Sequence, residues 1–208
     1  MRLEFFFDYP SPYAYLANTQ LPKLGVDIVY TPIGIRSVMK LVNNQPTPAC
    51  PPKARYAVLD ATRWAKSYGV PFQVNAAFVA ALRSGDVDID DFVRGALLAQ
   101  DLGVFEAYNT AIFRAIWARP HDLISALGRN TVLRVGGLDI PDFWARASAP
   151  ELHERLERNN RRAAERGVFG VPTFFVDDEI FFGNDRLDVV RARLSTQGQP
   201  APRMADAG

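Results

Sequence analysis

The sequence predicts an α/β fold carrying a large helical insertion, and three observations predict it. A short aromatic run at residues 3–7 passes into a helical pattern and then into a second strand-like run at 26–31. A long middle stretch from 53 to 164 keeps helical spacing with little β signal. The strand pattern then returns in "GVPTFFVDDEIFFGNDRLDVV", with one more helix behind it.

Residues 3–7 are aromatic-rich and bounded by turn residues, which reads as a buried strand. Pro12 suits the first turn of a helix, where its missing N–H costs nothing. Tyr13, Leu16, Ala17 and Leu21 give that helix one face, ending before residues 22–25. Residues 26–31 form the second strand, closed by Pro32. Strand, helix and strand in this order predict a βαβ unit with a parallel pair. "NNQPTPACPP" at 43–52 is an irregular proline-rich loop. From 53 the pattern is helical, with Tyr56, Leu59, Ala61, Trp64 and Ala65 as the expected inner face. Further helices are expected within 76–83, 89–117, 124–135 and 143–164. Two β-rich runs, 173–176 and 180–182, flank Asp177, Asp178 and Glu179, a hairpin spacing although Asp-Asp lacks the glycine of the best two-residue turns. A final helix is expected over 185–194. The division is an α/β part at 1–42 and 165–195, a loop and inserted helical subdomain at 43–164, and a tail at 196–208, poor in bulky apolar residues and expected to be disordered.

At 208 residues, 48% hydrophobic and 23% charged, the chain can bury one sizeable core. Its net charge of +1 is mixed along the chain, with no basic stripe, which argues against nucleic-acid and membrane-surface partners. No run approaches the roughly 18 apolar residues of a membrane span, and the N-terminal apolar run is too short for a signal peptide. A reducing, cytoplasmic setting is expected. The one cysteine, Cys50, cannot form an intramolecular disulfide, and with no His or helix terminus evident beside it, it reads as an incidental thiol. His121 and His153 belong to no recognisable motif, and no Gly-x-Ser-x-Gly surrounds Ser11, so a Ser-His-Asp hydrolase does not follow. Metal-ligand spacing and a glycine-rich phosphate loop are absent too.

Ser11 therefore needs its own account. A hydroxyl at a strand–helix junction can donate to an anion, with free N–H groups and the helix dipole adding positive potential. Serine is equally a good N-cap, and both readings are compatible.

Three blocks, "FFFDYPSPYAYLA", "NNQPTPACPPKARYAVLDATRWA" and "RGVFGVPTFFVDDEIFFGNDRLDVV", resemble the 2-hydroxychromene-2-carboxylate isomerase family, relatives of kappa-class glutathione transferases. The resemblance runs from residue 2 to about 194 and implies a thioredoxin-like fold of the DsbA/kappa type. Redox members of that superfamily carry Cys-x-x-Cys at the first strand–helix junction. Here the window reads Ser11-Pro12-Tyr13-Ala14, which excludes dithiol–disulfide exchange. The resemblance implies glutathione as cofactor, with Ser11 facing its sulfur and lowering the pKa of its thiol. It implies that Val171, before a cis Pro172, pairs its backbone with the cysteinyl part, and that Asn184 and Asp185 meet the γ-glutamyl end. Asn44 and Lys53 are implied contacts from the proline-rich loop. The segment reads Asn-Gln-Pro-Thr rather than the family's Asn-Lys-Pro-Pro, so Asn43 is the alternative register, and Asn184 replaces a serine often found there in kappa transferases. Tyr9 and Phe169 are candidates to line an apolar pocket. The implied activity is isomerisation of a small aromatic electrophile, an unsaturated 2-oxo acid, by a homodimer. A kappa-like transferase and a non-catalytic glutathione- or peptide-binding module are the alternatives.

Overall fold

In the computed structural model, which describes residues 2–196, β1 (Arg2–Phe7) lies at the centre of a four-stranded sheet. Apart from Thr196, which closes the last helix, the tail expected to be disordered lies outside the described residues. The strand order is β2-β1-β3-β4, with β2 (Asp27–Pro32) parallel to β1 and both β3 (Thr173–Val176) and β4 (Glu179–Phe182) joined antiparallel. The expected βαβ unit is present, its crossover made by α1 (Pro12–Gln20) and a 3-10 turn, Leu21–Leu24. Phe5 is paired with Tyr30 on one side and Phe174 on the other. Alternation then puts Leu3, Phe5 and Phe7 in one core and Phe6 with Phe175 in a second, on the other face. Both faces of β1 are covered, which is why Phe5, Phe6 and Phe7 run together with no polar side to show.

Helices cover both faces: α2 (Ile35–Leu41), α3 (Pro51–Tyr68), α4 (Ala76–Ser84), α5 (Ile89–Asp101), α6 (Phe105–Trp117), α7 (Ala126–Val135), α8 (Phe143–Ala147), α9 (Pro150–Glu165) and α10 (Leu187–Thr196). α5 and α9 both pack against β2. One charged group ties α9 to the sheet. Glu4 of β1 accepts from Thr31 Oγ1 at 2.7 Å and from the guanidinium groups of Arg162 and Arg166. Burial alone would raise the Glu4 carboxyl; Thr31, Arg166 and Arg162 hold it below its ordinary value. Arg166 also covers the Phe175 ring, 3.7 Å from its centroid.

Several elements differ from the sequence reading. α2 was not expected, and a 3-10 turn, Thr47–Ala49, interrupts the loop at 43–52. α3 starts at Pro51, two residues early, with proline in its first turn. Its inner face is built on Ala61 and Ala65, while Tyr56 and Leu59 are 58% and 59% exposed, because α1 packs close and admits only small side chains there. The stretch at 89–117 breaks into α5 and α6, and that at 143–164 into α8 and α9. The hairpin closes through Asp177-Asp178, with Asp177 at φ 55, a left-handed conformation that Asp tolerates.

Candidate active site

The carboxyl ends of β1 and β2 point to the same end of the sheet, and Ser11 and the Val171–Pro172 segment meet there. After β1 the chain turns through Asp8, Tyr9 and Pro10 to Ser11, the N-cap of α1. Ser11 Oγ accepts from the Ala14 N–H at 3.1 Å, so the capping role is real. The same hydroxyl donates to the Val171 carbonyl at 3.2 Å. The Val171–Pro172 peptide is cis, and the Pro172 carbonyl accepts from Gly183 N–H at 3.0 Å. One oxygen thus joins the start of α1 to the segment that opens β3.

Asn44 reaches the same segment from the proline-rich loop, its Nδ2 donating to the Phe169 carbonyl at 2.7 Å. Of the two neighbouring asparagines it is Asn44 that makes this link, while Asn43 holds the preceding turn at φ 55. Lys53 is exposed in the first turn of α3 and makes no ion pair among the described residues. Asn184 is buried, its Nδ2 donating to Tyr68 Oη at 3.3 Å while that hydroxyl donates to the Asn184 carbonyl at 3.0 Å. Asp185 stays exposed, its Oδ2 3.5 Å from Arg186. Gly183, at φ 108, is required here: a Cβ would stand 2.3 Å from Asp185 Oδ1.

The sequence reading gave no site role to Tyr13, Tyr56, Asp60 or Tyr68. Tyr13, two residues after Ser11, donates to Asp60 Oδ2 at 3.0 Å, and Tyr56 Oη lies 3.5 Å from Asp60 Oδ1. Burial first, then Asp60, Tyr56 and Asp185, push the Tyr13 hydroxyl up. Tyr68 is raised by burial and by Asp188 and Asp185, against the hydrogen bond from Asn184. Asp185 acts on both tyrosines, so its carboxylate lies near Tyr13 and Tyr68. The signal for these residues was in the sequence: Tyr56, Asp60, Trp64 and Tyr68 recur every four residues and line one side of α3.

Two expectations change. Tyr9 does not line an apolar pocket: it is fully buried, donates to Asn109 Oδ1 at 3.2 Å and gives its carbonyl to Trp117 Nε1 at 2.8 Å. Cys50 does have a helix terminus beside it, since it is the N-cap of α3. Phe169 is 42% exposed, its ring 4.5 Å from that of Phe182. Behind Ser11 lies Asp8, fully buried, accepting from Tyr9 N–H at 2.7 Å and Ile35 N–H at 2.9 Å. Burial raises its carboxyl to about 8 despite those two donors, with Asp90 adding to the rise. Among the described residues, no group of three or more His, Cys, Asp or Glu could hold a metal ion, and no helix is long and apolar enough to cross a membrane.

The sequence matches the family described as the DSBA-like thioredoxin domain over residues 2–195. It is 32% identical over 198 residues to 2-hydroxychromene-2-carboxylate isomerase of Sphingobium xenophagum, covering 92% of this chain and 97% of that protein. A solved structure of a 2-hydroxychromene-2-carboxylate isomerase superposes with a TM-score of 0.80 at 29% identity, over 95% of this chain and 96% of that one. Glutathione S-transferase kappa 1 of Caenorhabditis elegans is 27% identical over 212 residues, covering 97% of this chain and 93% of that protein.

Proposed function

We propose, from the premise that this chain belongs to the 2-hydroxychromene-2-carboxylate isomerase family of DSBA-like thioredoxin domains, that it is a glutathione-dependent cis–trans isomerase of 2-hydroxychromene-2-carboxylate or a similar aromatic 2-oxo acid. The observation that carries the reading is the Ser11 hydroxyl, held at the N-terminus of α1 and against the Val171 carbonyl. The name and sequence of the kappa relative support glutathione as the partner.

The residues present fit such a group. The start of α1 offers positive potential to a sulfur anion. The hydroxyl of Ser11 can rotate from Val171 O toward that anion while Oγ still accepts from Ala14 N–H. The backbone of Val171 would hold the cysteinyl portion. Asp185 would hold the γ-glutamyl ammonium by a charge-assisted hydrogen bond, with Asn184 fixed behind it by Tyr68. Asn44 and Lys53 would close the other side. Glutathione, when bound, supplies a nucleophilic thiolate that adds reversibly and converts a double bond into a rotatable single bond. What the chain contributes is a position for the sulfur and a lowered thiol pKa. A homodimer in the cytoplasm completes the reading.

The test is a titration of glutathione into the protein near neutral pH, following thiolate absorbance, then turnover of an unsaturated aromatic 2-oxo acid. Saturable thiolate and an isomerised product free of sulfur support the isomerase. A released conjugate would make the protein a kappa-like transferase instead, and no thiolate signal would overturn the glutathione reading.

A further inference from the structure

α6 has two sides. Tyr108, Asn109, Ile112 and Phe113 are buried, and Asn109 accepts from the Tyr9 hydroxyl. Glu106, Thr110 and Arg114 follow one another at four-residue spacing on the exposed side. They wall a cleft of about 780 Å³, a volume within the roughly 300–1,000 Å³ of small-molecule sites. The facing wall is the end of α7, with Val132, Val135 and Leu138. A Cβ on Gly136 would stand 2.9 Å from that of Ala111, so this glycine is what lets the end of α7 come so close to α6. The cleft shares no lining residue with the Ser11 junction.

Beyond Trp117 the chain folds back on the helix it has left. Arg119 N–H donates to the Arg114 carbonyl at 2.7 Å, and His121 N–H to the Ala115 carbonyl at 3.3 Å. Arg114, Arg119 and His121 are thus brought together in the cleft lining. Neither arginine forms an ion pair among the described residues. The dipole of α6 favours an acid in its first turn and a base in its last, which accounts for Glu106 and Arg114. It does not account for Arg119 or His121, nor for Val135, left 74% exposed on the facing wall.

Eight residues separate Glu106 from Arg114, about 12 Å along the helix axis. The wall therefore presents, in order, a carboxylate, a hydroxyl, and two guanidinium groups with an imidazole, opposite an apolar side. The complementary ligand has a hydrogen-bond donor at one end, a polar middle and an anion at the other, on a flat and partly apolar frame. Two planar guanidinium forks suit a phosphate in particular. With no glycine-rich loop in the chain, side chains rather than backbone would hold it.

We propose that the α6–α7 cleft is a second ligand site, for a nucleoside monophosphate bearing an amino group on its base. Arg114, Arg119 and His121 take the phosphate, Thr110 meets the ribose, and Glu106 accepts from the amino group. The site is independent of the isomerase reading and neither stands nor falls with it. The test is calorimetric titration of adenosine monophosphate, inosine monophosphate, adenosine and inorganic phosphate into the parent chain, R114Q/R119Q, E106Q and S11A. Arg114, Arg119 and Glu106 are exposed, so their variants should melt with the parent. Adenosine monophosphate should bind the parent and S11A alike, and roughly ten- to hundredfold more weakly in R114Q/R119Q. Adenosine and inorganic phosphate alone should bind weakly throughout. Inosine monophosphate, with a carbonyl in place of the amino group, should bind the parent more weakly than adenosine monophosphate and gain affinity in E106Q, whose amide can donate to it. No binding of adenosine monophosphate to the parent, or binding that ignores both arginines, overturns the site. Binding lost in S11A instead would put the anion at the start of α1 and overturn it too. Inorganic phosphate as tight as the nucleotide, or inosine monophosphate indifferent to E106Q, overturns the nucleoside assignment.

Discussion

Replacing Ser11 with alanine removes two hydrogen bonds made by one oxygen. The loss of the acceptor for Ala14 N–H uncaps α1, at about 1 kcal/mol. The loss of the donor to Val171 O leaves that carbonyl without its partner, at about 1 kcal/mol more. For a chain of 208 residues a loss of about 1–2 kcal/mol lowers the melting temperature by roughly 2–8 °C. The effect on bound glutathione is a separate quantity. A hydrogen bond to a charged group is worth roughly 1.5–3 kcal/mol, so the thiol pKa in the complex should rise by about 1–2 units.

A second variant divides these effects. Ser11→Asp keeps a good cap and a favourable charge at the helix N-terminus, yet sets a carboxylate where the sulfur anion belongs. It should melt near the parent temperature and show no thiolate at neutral pH. The assay pairs thermal unfolding with a pH titration of thiolate absorbance in the glutathione complex. If Ser11→Ala melts lower while its thiolate pKa is unchanged, Ser11 is a helix cap and nothing else. If Ser11→Asp retains the thiolate, the site does not contain the sulfur.

Asp185→Asn should weaken glutathione binding roughly tenfold or more while leaving the urea midpoint nearly unchanged, since the carboxylate is exposed; an unaltered Kd would remove Asp185 from the ligand's ammonium. Arg166→Ala strips the buried Glu4 of one guanidinium and uncovers Phe175, and with Arg162 still present it should cost about 1–3 kcal/mol by urea unfolding. Adding Glu4→Gln to that variant should recover part of the loss, and full additivity would refute the coupling. Asp8 fixes a pH dependence. Its carboxyl is raised from 3.8 to about 8, so the folded chain holds a proton that the unfolded chain has lost between those values. The stability it contributes is complete below the lower value and is lost as pH rises toward the upper one, at up to about 1.4 kcal/mol per unit. The urea midpoint should fall from pH 5 to pH 8 and flatten in Asp8→Asn; a midpoint that rises over that range would contradict the sign.

What could be read from the sequence was what neighbours in the chain decide. β1 announced itself because three consecutive phenylalanines, Phe5 to Phe7, need both faces covered, and Ser11 because a serine before proline is a local capping signal. The hairpin was legible from its two-residue spacing. α2 was not, because what starts it is distant: Ile35 N–H donates to Asp8, and Gly34 N–H donates to Asn160 at 2.8 Å from the far side of the chain. The inner face of α3 was misjudged because hydrophobicity alone ranks Leu59 above Ala61, whereas the close approach of α1 ranks them by size. Tyr9 looked like a pocket residue beside Ser11 because nothing local reveals that Asn109 and Trp117 fold back to satisfy its polar groups.

The chemistry of the junction follows from substituting oxygen for sulfur on a scaffold that otherwise keeps its potential. A cysteine at the start of α1 could itself become the anion that the helix terminus favours. A serine hydroxyl cannot ionise near neutral pH, so the positive end of α1 is left to be matched by an anion from outside the chain. The nearest carboxyl in sequence, Asp8, would oppose that anion if it were charged, and its two backbone donors, Tyr9 and Ile35, favour the charged form. Burial outweighs them and keeps the group largely protonated below about pH 8. The competing charge is thus removed by where the fold places Asp8 rather than by deleting it. The same burial that lets Asp8 join β1 to α2 also keeps its charge from opposing an anion at Ser11, and the thiolate fraction of a glutathione complex at pH 7 should therefore be the same in Asp8→Asn as in the parent.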